Sequence, residues 1–219
     1  MTIHRPGVPE DLPAAETLWA RWALLATVGA NAADESKTGH RTGIWLDAEG
    51  LHLDDCGCTW WTMSRMGDGR FVLYGEDEAS GVKFHEPRID MLAGAPDWLP
   101  FEELRDRLEG HELGCVYWCD SGVWARASYP DDLRDDGLDC GMSRFVDRED
   151  VLGELRLYLI EADHGPTAHQ LLSDAEAYRL EPRALLDRLQ AVGPTDEPTD
   201  LDAVARAIVA AGVAAAPTV

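Results

Sequence analysis

The chain has 219 residues, 45% of them apolar, so it can bury a sizeable core without disulfides or a structural metal. Its 41 acidic and 19 basic residues give a formal net charge of −22, which argues against contact with nucleic-acid phosphates and favours basic partners. The N-terminus lacks a basic segment followed by an apolar one, and no apolar run is long enough to span a bilayer. We therefore expect a cytoplasmic protein that contacts neither nucleic acid nor membrane.

The first predicted element is a helix from about Pro13 to Val28. Asp11 suits its N-cap position, and proline is favoured in a first helical turn. Four large apolar residues recur at helical spacing and predict the stripe that faces the core: Leu18, Trp19, Trp22 and Leu25. The small and polar residues of segment 31–43 predict a mobile loop after the helix.

Residues 43–84 predict an antiparallel meander of about five strands. Segments 43–46 and 51–53 form a hairpin, and 82–84 is a further short strand. The strongest hairpin spans 59–75, because its strands are aromatic and β-branched and Asp68-Gly69 suits a two-residue turn with positive φ.

Side-chain alternation assigns two faces to this hairpin. One face is predicted to carry Trp60, Thr62, Ser64, Met66, Phe71 and Leu73, and the other Trp61, Met63, Arg65, Val72 and Tyr74. Because both sets contain large apolar groups, we expect both faces to be covered by other elements.

The next segments continue the mixed pattern. An irregular segment at 90–98 is followed by a predicted helix over 100–108 and by a second hairpin over 113–127 with its turn at Ser121-Gly122. Alternation places four residues on one face of that hairpin: Tyr117, Cys119, Trp124 and Arg126. The acid-rich segment 129–141 predicts a solvated turn, and 142–146 predicts a last strand.

From Asp147 onward the apolar residues recur with a helical period. Asp147 is expected to cap a helix over 148–162, and Pro182 to open another. The capping-box spacing at Thr167 and at Ser173 predicts short or joined helices up to Leu180. A linker at 193–198 precedes a last helix from residue 199 or 200. The predicted fold is α+β, an antiparallel meander of about five to eight strands covered by an N-terminal helix and C-terminal helices. We expect a sheet domain over 1–147 and a helical extension over 148–219, with one domain over 1–219 as the alternative.

The cysteines and histidines do not predict a metal site. Cys115 and Cys119 would lie roughly 13 Å apart along a strand, too far for two thiolates on one zinc ion. A mixed site that combines Cys56, Cys58 and either Cys115 or His52 stays open. The odd total of five cysteines also disfavours a secreted disulfide framework. We predict no metal and no cofactor.

Two hypotheses about function follow. No P-loop, dinucleotide-binding, nucleophile-elbow or zinc-protease motif is present, so the first is a non-catalytic interaction protein whose acidic loops meet a basic partner. An immunity- or antitoxin-like inhibitor is one concrete form of this hypothesis. The partner-binding acids would be Glu76, Asp77, Glu78, Asp131, Asp132, Asp135, Asp136 and Asp139.

The alternative is a small-molecule-binding domain, or an enzyme, that uses an aromatic and arginine-rich face of the sheet. Arginine beside tryptophan and tyrosine can bind an anion or a flat ligand. The pocket candidates are Trp61, Arg65, Tyr74, Tyr117, Trp124 and Arg126. The competing interpretation is that these rings pack under the terminal helices with the arginine stems extended over them.

Overall fold

The structure, a computed structural model, describes residues 3–29, 41–159, 167–191 and 201–214. Six strands form one antiparallel sheet in chain order: β1 (Gly43–Leu46), β2 (Leu51–Asp54), β3 (Thr59–Gly67), β4 (Arg70–Asp77), β5 (Cys115–Asp120) and β6 (Val123–Arg126). The described helices are α1 (Ala15–Gly29), α2 (Phe101–Glu109), α3 (Asp139–Val146), α4 (Arg148–Tyr158), α5 (Ala168–Glu176), α6 (Pro182–Ala191) and α7 (Leu201–Ala211). The predicted α+β class, with a meander covered by N- and C-terminal helices, is confirmed. Within the described ranges, none of these helices has the length and apolar character needed to cross a bilayer.

Helix α1 is buried on nearly every side, rather than along one stripe. It packs on β1 and β2, and it also contacts α4, α5 and α7. Trp22 stacks on Phe145 with ring centres 4.4 Å apart, and the Trp19 indole donates a hydrogen bond to the carbonyl of Ala211. The expectation that Asp11 caps this helix is wrong. Asp11 ends a short 3₁₀ turn, Pro9–Asp11, and its carboxylate accepts the backbone N–H of Val8.

Both predicted turns are confirmed, because Asp68-Gly69 and Ser121-Gly122 have positive φ at both residues. The face assignment across the first hairpin is wrong. Arg65 pairs with Phe71 whereas Gly67 pairs with Arg70, so β3 carries one extra residue, a β-bulge. This extra residue exchanges the faces of β4 relative to β3. The side that carries Trp61, Met63, Arg65, Phe71 and Leu73 is called the inner face, and the side that carries Trp60, Thr62, Ser64, Val72 and Tyr74 the outer face.

The two faces are covered by different parts of the chain. The inner face belongs to the large core that contains α1 and the apolar residues of α4 to α7. The outer face is covered by the connection between β4 and β5, whose buried side chains include Ile89, Met91 and Leu104. Both faces are therefore covered, as the apolar residues on each predicted.

Two short segments were predicted as strands and are not. Residues 82–84 form a 3₁₀ turn, Val82–Phe84, and residues 142–146 lie in α3. Apolar runs this short have no period that separates a strand from a helical turn.

The capping predictions in the C-terminal half are confirmed at two of three positions. Asp147 accepts the N–H of Glu149 at the start of α4, and Thr167 accepts that of Gln170 at the start of α5. Ser173 does not cap a separate helix and lies inside α5, which corresponds to the joined alternative. The predicted helix over 148–162 is too long, because α4 ends at Tyr158 and Leu159 is extended. The predictions for 31–40 and for the linker at 193–198 fall outside the described residues.

Candidate functional site

The two predicted acidic loops lie side by side although they are remote in sequence. The N–H of Gly81 donates to the carbonyl of Asp135 over 3.2 Å, and a Cβ placed on Gly137 would lie 2.7 Å from the Cβ of Asp77. The N–H of Glu78 also donates to the carbonyl of Cys58 over 2.7 Å, which adds a third loop. Loops 55–58, 77–81 and 131–139 thus form one surface, called here the acidic surface.

Not all the predicted acids reach solvent. Glu76 is buried and lies 2.9 Å from the ammonium of Lys83. Asp136 is buried as well, and its carboxylate accepts the N–H of Gly7 and the hydroxyl of Tyr117. The expectation that these two acids meet a partner is therefore wrong, because each is buried and holds an internal contact, which for Asp136 is made by remote parts of the chain.

The other acids keep access to solvent. Glu78, Asp131 and Asp132 are exposed. Asp135 and Asp139 are half-buried and are ion-paired with the exposed Arg5.

Two thiols respond to the negative charge of this surface. The carboxylate of Glu78 is the main cause that raises the pKa of Cys58. Burial, together with Asp77 and Asp139, raises the pKa of Cys140 to about 11. Carboxylates are the first cause of the pKa shift only in Cys58, whereas in Cys140 they add to the effect of burial.

The six predicted pocket residues do not all line one pocket. The bulge in β3 puts Tyr74 on the outer face and leaves Trp61 and Arg65 on the inner face, so the predicted shared face of these three is wrong. In the second hairpin, the predicted shared face of Tyr117, Cys119, Trp124 and Arg126 is confirmed, and it too is part of the inner face.

On the inner face these side chains are packed. Trp61 and Tyr117 are fully buried, and the Trp124 indole donates to the carbonyl of Pro13 over 2.8 Å. The guanidinium of Arg65 lies over Trp19, 4.1 Å from the ring centre, and that of Arg126 lies 3.8 Å from the ring centre of Tyr129. This arrangement matches the competing interpretation, in which rings pack under other elements and arginines extend over them.

The outer face carries a cleft of about 360 Å³, called here the outer cleft. It lies between the β1–β2 hairpin and the C-terminal part of α2. The rings of Trp45, Trp60 and Tyr74 line it together with Arg107, whose guanidinium is 5.0 Å from the Trp60 ring centre and 5.7 Å from that of Tyr74. The cleft also contains carboxylates, namely Asp47, Glu49, Asp54 and Glu112.

A row of hydrogen-bonded side chains crosses three strands at the base of the cleft. His52 pairs with Thr62 and Thr62 with Tyr74 in the sheet register. The Nδ1 of His52 lies 3.0 Å from the Thr62 hydroxyl, and its Nε2 lies 2.9 Å from an oxygen of Asp47. Burial, reinforced by the nearby Glu103 carboxylate that accepts the Tyr74 hydroxyl, raises the pKa of Tyr74. The tyrosine therefore acts as a neutral hydrogen-bond donor.

The Asp47 carboxylate is held in place by the hairpin turn. One carboxylate oxygen accepts the N–H of Glu49 over 2.9 Å and also lies 2.9 Å from Nε2 of His52. The other oxygen accepts the indole N–H of Trp45 over 3.2 Å. Burial alone would raise the pKa of Asp47, but the hydrogen bonds from His52 and Glu49 outweigh it and lower the pKa below its ordinary value. Asp47 is thus ionised at neutral pH.

Most residues of the outer cleft were missed by reasoning from the sequence. Of the predicted pocket residues, Tyr74 and Trp61 line it. His52 was considered only for a mixed site with thiols, and Arg107 and the carboxylates were not singled out. The available signal was the alternation of Trp45, His52 and Thr62, which places all three on the same face once β1, β2 and β3 pair. Arg107 arrives from a helix outside the sheet, so no local pattern indicates it.

Comparison with family models, with curated proteins and with solved structures finds no match to this chain. The assignment of function therefore depends on the geometry of the acidic surface and of the outer cleft.

Proposed function

We propose that the protein is a non-catalytic binding protein whose acidic surface docks a basic partner protein. The observation that carries this proposal is that three loops remote in sequence meet and present exposed carboxylates together, among them Asp55, Glu78 and Asp131. An inhibitor of a basic toxin or nuclease in the cytoplasm is one form that such a protein would take.

Charge explains what the surface contributes to docking. A net charge of −22 attracts a basic protein from a distance, and local carboxylates then select the orientation in which it docks. Contacts at exposed carboxylates contribute about 0.2–1 kcal/mol each, so three of them together account for about a tenfold change in affinity.

Two variants with the same change in net charge test the proposal. The first replaces three exposed acids of the acidic surface, E78Q, D131N and D132N; the control replaces three exposed acids on α2, E102Q, D106N and E109Q. Binding to a lysine-rich polypeptide is measured by titration calorimetry at several salt concentrations. We expect the first variant to bind about tenfold more weakly than the control. Equal losses would show that net charge alone governs binding, and the proposal would then fail.

The same pair of variants can assess basic proteins captured from the source cells. A physiological partner should bind the α2 variant as tightly as the unchanged protein. It should bind the variant of the acidic surface more weakly and dissociate from it faster, because loss of hydrogen-bonded charge pairs acts on dissociation.

A second candidate function is supported by the outer cleft. Its volume of about 360 Å³ and its walls of Trp45, Trp60 and Arg107 suit a small, flat ligand. A fragment screen followed by two-dimensional NMR tests this. Hits should shift the Trp60 indole resonance and leave that of Trp22, which is buried in the inner core, unchanged. A screen without such hits would remove this candidate and leave the acidic surface unaffected.

A further inference from the structure

The turn between β1 and β2 brings three metal-ligating side chains together. One ligand atom each from Asp47, Glu49 and His52 lies within 4.8 Å of the other two. The three residues occur within one short hairpin, whose turn is closed by a hydrogen bond from the N–H of Asp47 to the carbonyl of Gly50. The cluster opens into the outer cleft, of whose walls all three are part.

The orientation of His52 is the second observation. Its Nδ1 is engaged by the Thr62 hydroxyl at 3.0 Å, and the Trp45 indole stacks on its ring with centres 5.0 Å apart. These contacts fix the imidazole plane and direct Nε2 at the two carboxylates. Nε2 lies 2.9 Å from an oxygen of Asp47 and donates to it while protonated. Because Nδ1 is held by Thr62, a divalent ion can replace that proton between Nε2 and the carboxylate, as in the usual arrangement of a histidine ligand.

The charge around the turn favours a cation. Asp47 and Glu49 face the cleft together with Asp54 and Glu112, whereas Arg107 is directed toward the rings of Trp60 and Tyr74. We propose that Asp47, Glu49 and His52 bind a divalent transition-metal ion such as Zn²⁺.

The ligand set identifies the class of metal. One imidazole nitrogen with two carboxylates suits Zn²⁺ and neighbouring transition metals, whereas Ca²⁺ and Mg²⁺ prefer oxygen ligands alone. Three protein ligands leave a tetrahedral ion with one further position. That position would face the outer cleft, where a small ligand could reach it. This inference is independent of the basic partner proposed above.

The exposed thiols have to be separated from the proposed site. Cys56 and Cys58 are both exposed, and thiolates also bind zinc. All measurements are therefore made on the full chain carrying C56S and C58S, after removal of metal with a chelator. Zn²⁺ is titrated by calorimetry, and Co²⁺ is added in parallel because its visible spectrum reports the coordination geometry.

Two carboxylate variants within the same cleft provide the test. We expect one Zn²⁺ per chain and a loss of affinity of at least about tenfold in Glu49→Gln, because even loss of an outer contact to a ligand costs ~10–100-fold. Glu112→Gln removes the same charge from the same cleft without removing a proposed ligand, and we expect less than about a threefold loss, as for a screened surface charge. Glu49 is in an exposed turn, so its replacement leaves the fold intact.

An NMR measurement locates the ion. Addition of Zn²⁺ should shift the Nε2 resonance of His52 and leave that of the exposed His111 unchanged. Absence of zinc binding in the thiol-free protein, equal losses in the two carboxylate variants, or an unchanged His52 resonance would each overturn the proposal and show that Asp47 and His52 form only a structural pair.

Discussion

The two faces of the sheet are built from the same strands but differ in how polar they are. The inner face presents Trp61, Met63 and Leu73 to a large core of helices, and all three are fully buried. The outer face carries Val72 and Tyr74 in a smaller core, but beside them lie His52 and Thr62, hydrogen-bonded to each other at the base of a cleft.

Because the two faces differ in polarity, we expect them to contribute differently to stability and to binding. Burial of apolar area is the dominant source of folding free energy, and most of that area is on the inner side. The outer face keeps polar groups that burial alone would not favour, and such groups are typical of ligand sites. We therefore expect substitutions on the inner face to affect stability first, and those on the outer face to affect binding first.

The largest predicted effect compares two adjacent tryptophans. Trp61→Ala should lower the free energy of unfolding by about 3–5 kcal/mol, because it empties a fully buried site and removes the hydrogen bond from the indole to the Cys140 carbonyl. Trp60→Ala, at a half-buried site in the outer cleft, should cost less than about 2 kcal/mol. Urea denaturation monitored by circular dichroism measures both. A larger loss for Trp60 than for Trp61 would contradict the assignment of faces.

The two hairpins also show which features the sequence could predict and which it could not. The Asp68-Gly69 and Ser121-Gly122 turns and the alternation within each strand depend on neighbouring residues, so they were predicted correctly. The bulge depends on how β3 pairs with β4, and its signal was Gly67, which has a positive φ of 81° directly before the turn. Because that residue was counted as ordinary strand, the faces of β4 were exchanged.

The candidate sites were less predictable for the same reason. The two acidic loops were identified from composition, but their meeting, and the burial of Asp136 under the N-terminal segment, depend on contacts between remote residues. The outer cleft requires β1, β2 and β3 to pair before His52 meets Thr62, and α2 to pack before Arg107 meets Trp60. No period within one segment contains that information.

The next prediction concerns how the free energy of unfolding depends on pH through Asp11, a carboxylate beside the inner core. Asp11 is buried, and its carboxylate accepts the N–H groups of His4 and Val8. Burial would raise the pKa of Asp11, but the hydrogen bonds from Val8 and His4 lower it below its ordinary value of 3.8. Asp11→Asn should therefore lower the free energy of unfolding by about 1–2 kcal/mol at pH 7, because an amide is a poorer acceptor of these bonds.

The sign of the pH dependence follows from the lowered pKa. Stability contributed by the ionised form is complete above the unfolded pKa of 3.8 and is lost as the pH falls through the lower folded value. The difference between Asp11→Asn and the unchanged protein should therefore shrink in urea titrations at about pH 3. The exposed neighbour serves as the control, because Glu10→Gln should change stability by less than about 0.5 kcal/mol at either pH. A constant difference would mean that the Asp11 charge contributes nothing.

A smaller effect is expected on the outer face. Thr62→Val keeps the shape of the side chain and removes the hydroxyl that lies 3.0 Å from Nδ1 of His52. The loss of one hydrogen bond should cost about 1 kcal/mol, much less than the loss of Trp61. Because His52 then lacks the group that fixes its ring, NMR should show a change in its tautomer populations. A fall in stability comparable to that of Trp61→Ala would show that the outer face is as important to folding as the inner one.

The smallest effect is a change in thiol reactivity at the rim of the sheet, outside both faces. Cys58 is exposed and its pKa is raised by the carboxylate of Glu78, so Glu78→Gln should increase its thiolate fraction. In a C56S background, we expect the rate of alkylation of Cys58 by iodoacetamide to rise about two- to threefold near pH 8. The matched control is Glu109→Gln on α2, which should leave the rate unchanged.

The same alkylation measurement, applied to the buried thiols, compares the rim of the sheet with the inner face. Cys115 and Cys119 are buried in the inner core, and burial raises the pKa of both, so neither should be alkylated while the protein is folded. Mass spectrometry of the alkylated chain distinguishes the three sites. If Cys58 reacts no faster without Glu78, loops 55–58 and 77–81 do not bring charge together as the acidic surface requires. If Cys119 reacts as fast as Cys58, the inner face opens in solution and its assignment as the stable side of the sheet is wrong.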